Sequence, residues 1–174
     1  ASNNTAVGYQ AGYSNTTGFN NVALGSLALD ANTTASKNTA IGQASLGANT
    51  TGAENTAVGQ GSLQVNSTGS YNSALGVDAL GSNTTASNNT AVGYQAGYSN
   101  TTGIQNTIIG ETAGYSATTG IGNTFVGSDS GYLVTTGTRN QFFGKNSGES
   151  ITTGSKNTIL GAYNGNQGGL DIRT

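Results

Sequence analysis

The pentapeptide Asn-x-x-apolar-Gly begins at Asn4, Asn21, Asn38, Asn55, Asn72, Asn89, Asn106, Asn123, Asn140 and Asn157, ten copies at a spacing of 17 with no insertion or deletion. A fixed period of this length is the signature of a stacked architecture in which each repeat leans on its neighbours, and it overrides any reading of isolated helices and strands. Residues Ala1 to Gly18 recur unchanged as Ala86 to Gly103, five periods on, which points to growth of the array by duplication.

With the Asn as position 1, the repeats form columns that can be compared within this one chain. Position 5 is always Gly, from Gly8 to Gly161, and position 1 is always Asn. Position 4 is always large and apolar: Val7, Leu24, Ile41, Val58, Leu75, Val92, Ile109, Val126, Phe143 and Leu160. Position 8 is Ala or Ser in nine copies and Asn164 in the tenth, so something sits close against it.

Thr, Val and Ile, abundant Gly (29 residues) and the lack of a helix-length apolar period favour short strands joined by tight turns. The expected fold is all-β, a parallel β-solenoid or β-roll with one 17-residue coil per repeat and ten coils, a single domain over residues 1–174. At the strand spacing of roughly 4.8 Å the stack is on the order of 48 Å long. Stacking explains the invariant columns. Each Asn is placed to donate its side-chain amide to the carbonyl of the Asn in the next coil, a structural ladder. The Gly marks a corner that needs positive φ or a close backbone approach.

The position-4 aliphatics are the expected core. One large side chain per coil at roughly 1.5–3 kcal/mol is weak compensation for ordering a whole coil, so further burial is needed. Position 3 reads Ala6, Ala23, Ala40, Ala57, Ala74 and Ala91, then Ile108, Phe125, Phe142 and Ile159. On a strand it points to the face opposite position 4. It is the candidate interface with another chain, the alternative being a second layer inside the same coil. Position 9 is Leu in coils two to five (Leu29, Leu46, Leu63, Leu80). Coils one and six to eight have Gly followed by Tyr (Gly12-Tyr13, Gly97-Tyr98, Gly114-Tyr115, Gly131-Tyr132), which reads as two ways of filling one gap. An exposed Tyr strip that binds sugars is the alternative.

Composition narrows function. There is no His and no Cys, which excludes a His/Cys zinc site, a disulfide, a thiol nucleophile and a Ser-His-Asp relay. Five basic against seven acidic residues do not make the cationic face that a nucleic-acid backbone requires. No apolar run approaches a membrane span, and no basic-then-apolar signal segment opens the chain. The acidic residues Asp30, Glu54, Asp78, Glu111, Asp129, Glu149 and Asp171 occupy scattered columns, against regular calcium binding and against paired glycosidase carboxylates. No Gly-rich stretch carries the Lys and Ser/Thr of a phosphate loop. The expectation is a chain that is no enzyme, with no catalytic residue, metal or cofactor. Arg139, Lys145, Lys156 and Arg173 collect near the C-terminus as a solvated polar end.

Thr-Thr or Ser-Thr recurs from 16/17 to 152/153, one residue of each pair pointing outward. Such files suit turns bonded to backbone, and they also resemble the Thr arrays of solenoidal ice-binding proteins. Asn-x-Ser/Thr sequons at Asn15, Asn32, Asn49, Asn66, Asn83 and Asn100 share one column and follow from repetition alone.

The wording Asn4-Thr5-Ala6-Val7-Gly8-Tyr9-Gln10-Ala11-Gly12-Tyr13-Ser14-Asn15-Thr16-Thr17-Gly18 resembles repeats of marine phage and cyanophage tail fibres and of related bacterial surface proteins. The segment from Ser155 to Thr174 looks like the close of such arrays. The pentapeptide is also similar to the head repeat of trimeric autotransporter adhesins, left-handed parallel β-rolls packed as homotrimers. The resemblance implies a left-handed roll in a homotrimer, on a virion tail fibre or a cell surface, with itself as partner and no nucleic acid or membrane insertion. A host-surface glycan or other receptor would be met through regions outside this segment of a longer fibre. Its function would be that of a structural or adhesive rod. The alternatives are ice binding by the Thr columns and a self-stacking extracellular filament.

Overall fold

The computed structural model describes residues 1–165 and is a parallel β-solenoid. Each repeat contributes one three-residue strand: β1 (Thr5–Val7), β2 (Val22–Leu24), β3 (Thr39–Ile41), β4 (Thr56–Val58), β5 (Ser73–Leu75), β6 (Thr90–Val92), β7 (Thr107–Ile109), β8 (Thr124–Val126), β9 (Gln141–Phe143) and β10 (Thr158–Leu160). They pair in chain order as one ten-stranded parallel sheet. The register advances by one repeat at every step, Ala6 opposite Ala23, Ala91 opposite Ile108, Phe125 opposite Phe142.

The rest of each coil is turn, yet its backbone is bonded between coils as the strands are. The N–H of Gly12 donates to the Ala28 carbonyl, Ser14 to Asp30 and Thr16 to Thr33, while Gly25 and Leu27 donate back to Val7 and Tyr9. Continuous pairing of this kind lets a three-residue strand persist. The turns use left-handed backbone at fixed columns. Position 5 Gly lies at φ 113 to 140, and a Cβ on Gly76 would stand 2.3 Å from the Gly93 carbonyl oxygen. Positive φ and a close backbone approach therefore both hold at this column.

The faces of the strands are the reverse of the expectation. The middle residue points inward: Ala23, Ala40, Ala57, Ala74, Ala91, Ile108, Phe125, Phe142 and Ile159 are all buried, and only Ala6, at the end of the stack, is exposed. The expected interface column is thus the core, the second layer inside the coil. The expected core column, Val7, Leu24, Ile41, Val58, Leu75, Val92, Ile109, Val126, Phe143 and Leu160, points outward and is exposed or half-buried. The reason is parity. Positions 2 and 4 share a face, so burying position 3 turns the large position-4 side chain out.

The interior is filled by exchange of bulk between two columns. In coils two to five, small Ala at position 3 faces fully buried Leu29, Leu46, Leu63 and Leu80 at position 9. In coils seven to ten the third position is Ile or Phe and the ninth is Gly; a Cβ on Gly148 would fall within 2.3 Å of the Phe142 ring. Phe125 and Phe142 stack inside, ring centroids 5.3 Å apart. The gap is therefore filled by Leu or by Ile/Phe. The Tyr residues lie on the surface, where Tyr98, Tyr115 and Tyr132 stack at 5.4 and 5.3 Å and Tyr13 is 74% exposed. Position 8 packs at the core's edge, with Ser45 Oγ donating to Ala57 O and Ser130 Oγ to Phe142 O.

Candidate functional surface

Two internal ladders hold the sheet's outer face in place. In the first, the Oδ1 of each position-1 Asn accepts the backbone N–H of the next, from Asn21 N to Asn4 Oδ1 at 2.9 Å through to Asn157 N to Asn140 Oδ1 at 3.1 Å. The amide goes elsewhere than expected. Asn72 Nδ2 donates to the Ala86 carbonyl of its own coil at 2.8 Å, and its second contact, at 3.1 Å, is to Asn55 Oδ1 in the preceding coil. The ladder exists, but its regular rung runs from a main-chain donor to a side-chain acceptor, because parallel stacking sets each Asn N–H over the Oδ1 one coil earlier.

The second ladder is the sequon column. Asn32, Asn49, Asn66, Asn83 and Asn100 are buried, each donating Nδ2 to the Oδ1 one coil earlier, as Asn66 does to Asn49 at 2.9 Å. Each also donates to the carbonyl three residues on. Gly69 O thereby accepts from both Asn55 and Asn66, so the two ladders converge on one atom. Position 12 becomes Ala117, Val134 and Ile151 where the core turns to Ile and Phe, and Asn100 Oδ1 is left buried without a donor.

These ladders back the outward face of the ten-stranded sheet. Position 4 supplies its file of large apolar side chains: Val7 is 57% exposed, Leu24 45%, Leu75 51% and Leu160 82%. Position 2 runs beside it, Thr in seven strands, with Val22, Ser73 and Gln141 in the others. None of these ten strands contains a charged residue. Charge lies on both flanks: at position 17 Lys37 pairs with Glu54 at 3.0 Å and Arg139 and Lys156 stand exposed, and at position 6, beyond the other end of the strands, Glu111 and Lys145 are exposed. An apolar strip with a polar margin is the pattern of a protein interface.

The surface carries two further features. The first hydroxyl of each pair from Thr16 to Thr135 bonds backbone in the next coil, as Thr50 Oγ1 does to Ser67 O, and the second residue forms an exposed file from Thr17 to Thr153. Where position 10 lacks Tyr, in coils two to four, a shallow groove of about 400 Å³ is lined by Leu27, Asp30, Ala44, Gly47, Gln64 and Val65 among others. Among the described residues, no group of three or more His, Cys, Asp or Glu side chains is placed to hold a metal ion. No helix among them is long and apolar enough to cross a membrane. Asp171 and Arg173 lie outside the described residues. The chain matches no family model, no curated protein and no solved structure among those compared.

Proposed function

We propose that this chain is a non-catalytic rod segment of a homotrimeric fibre whose three solenoids pack through the outward faces of their sheets, on a virion tail fibre or a cell surface. The observation that carries the reading is the position-4 file, ten large apolar side chains in register on a strip free of charge. Rotation about an axis parallel to the rod sets each residue at the height of its own copies, so Val58 meets Val58 and Phe143 meets Phe143 whatever the order of sizes along the file. Burial of the strip supplies the apolar area that the thin interior of each coil lacks. The repeat resemblance supports the same arrangement and a left-handed coil.

Sedimentation equilibrium tests it. The expected mass is three times the chain's 17.2 kDa, falling toward one chain in Leu75→Glu/Val92→Glu with the β circular dichroism retained. A wild-type monomer at micromolar concentration would remove the trimer from the proposal.

A further inference from the structure

The second Asn ladder stops in the middle of the stack, between coils six and seven. From Asn32 to Asn83 each side-chain amide serves two acceptors, the Oδ1 one coil earlier and the carbonyl three residues on. Asn66 Nδ2 donates to Asn49 Oδ1 at 2.9 Å and to Gly69 O at 3.0 Å, and Asn83 Nδ2 to Asn66 Oδ1 at 2.8 Å and to Ala86 O at 3.1 Å. Asn100 keeps the donor half of this pattern, to Asn83 Oδ1 at 2.9 Å and to Gly103 O at 3.0 Å. Those two bonds fix which end of its carboxamide is the oxygen. No donor of the chain reaches that buried oxygen, because the next coil has Ala117 where an Asn would stand.

The two acceptors outlast the amide that joins them elsewhere. The backbone at Ala117 holds its place, its N–H donating to Gly114 O at 3.0 Å as that of Asn100 does to Gly97 O. Asn100 Oδ1 and Gly120 O both crowd the point where a Cβ on Gly103 would stand, just as Asn66 Oδ1 and Ala86 O do at Gly69. At Gly69 the third neighbour of that point is the ladder amide, Asn83 Nδ2 at 3.1 Å, whereas at Gly103 it is Asn106 Nδ2 at 3.2 Å. The Asn106 amide already donates to Asn89 Oδ1 and Gly120 O. A carbonyl oxygen accepts two hydrogen bonds, so Gly120 O, like Asn100 Oδ1, still has a place for a donor.

We infer that this point is a binding site for one buried water, which donates one hydrogen to Asn100 Oδ1 and the other to Gly120 O in place of the amide that Ala117 lacks. Asn100 and Ala117 are each 1% exposed, so the guest is enclosed and small. The carboxamide that distinguishes Asn from Ala leaves room for one water at roughly 30 Å³, and two polar partners suffice to hold it. A cation would give up its hydration for two neutral oxygens, a poor exchange. The water closes the polar file. It allows the column to pass from Asn to Ala117, Val134 and Ile151 without a stranded acceptor in the interior.

High-resolution crystal structures of the whole chain and of two variants, with their melting temperatures, are the test. The wild type is expected to show one density peak within hydrogen-bonding distance of both Asn100 Oδ1 and Gly120 O. In Ala117→Asn the peak gives way to the side-chain amide, with the ladder extended by a rung. Ala117→Val introduces a residue that the same column accepts one coil on, at Val134. It displaces the water and gives neither acceptor a donor, so the melting temperature is expected to fall by about 2–4 °C. A wild-type structure with an apolar side chain against Asn100 Oδ1 and no peak there would overturn the inference. So would an Ala117→Val variant that melts at or above the wild type, since only a dry site gains from the added methyl groups.

Discussion

Asn72 shows how much a single side chain carries in this fold. It accepts from the backbone of coil six, donates within its own coil and touches Asn55 in coil four. Asn72→Ala leaves the Asn89 N–H without its acceptor in the interior, at about 1–3 kcal/mol for each buried group stranded. We expect a loss of about 2–4 kcal/mol in urea unfolding. The second ladder predicts an inequality. Asn66 has a donor on its Oδ1 and Asn100 has none, so Asn66→Ala should cost more than Asn100→Ala in the same assay. Because Asn32 to Asn100 are buried, glycan transfer to folded chain at these sequons should fail, as mass spectrometry after treatment with an oligosaccharyltransferase would show. The sequence exposed the first Asn column through its invariance. The second was hidden because its Asn-x-Ser/Thr spelling imitates a modification signal and because it stops at coil six.

At the scale of the coil, the deciding balance is at position 9. Leu63 sits at φ 50, a conformation costing roughly 1–2 kcal/mol for a residue with a Cβ. Its complete burial returns roughly 1.5–3 kcal/mol, so burial prevails and Leu persists where Gly would be relaxed. Leu63→Gly removes both terms and opens a cavity. Its expected cost is about 1–3 kcal/mol, below the roughly 2–5 kcal/mol usual for emptying a core Leu. Adding Ala57→Phe, the pairing found in coil nine, should recover part of that loss, and a double-mutant cycle by thermal melting measures the coupling. Additive effects would mean that the two columns do not share one space. The sequence holds that exchange, Ala with Leu in four coils and Ile or Phe with Gly in four others, but the Tyr that follows several of those Gly residues points to Tyr as the filler, and only the structure turns position 3 inward. Strand polarity was not legible from the position-4 column alone. A uniformly large apolar column looks the same whether it faces its own core or another chain, and only the compensating partner at position 9 marks position 3 as interior.

For the whole molecule, period, strand order and parallel register were legible in the sequence, because 17-residue steps without exception, rich in Thr, Val, Ile and Gly, favour one strand per step stacked in order. The reversal of faces alters what the rod offers to its surroundings. The file expected inside is outside, and ten large apolar residues on an uncharged sheet become the surface that the proposed trimer would bury. The Lys37–Glu54 pair on the flank is exposed at both ends and contributes little, at about 0–1 kcal/mol. Salt should therefore shift the melting temperature only slightly, whereas dilution should lower it if assembly holds the fold.

The absence of cysteine makes the face directly addressable. Leu75→Cys and Thr51→Cys place one thiol each, the first on the strip and the second on the exposed Thr file. Under mild oxidation the strip variant is expected to give covalent dimers at protein concentrations where the Thr-file variant stays a single chain, since symmetry brings the new thiol of each strip variant to its own copies at one height. Equal, slow cross-linking of both variants would show that the strip faces water, and would contradict the assembly on which the account rests.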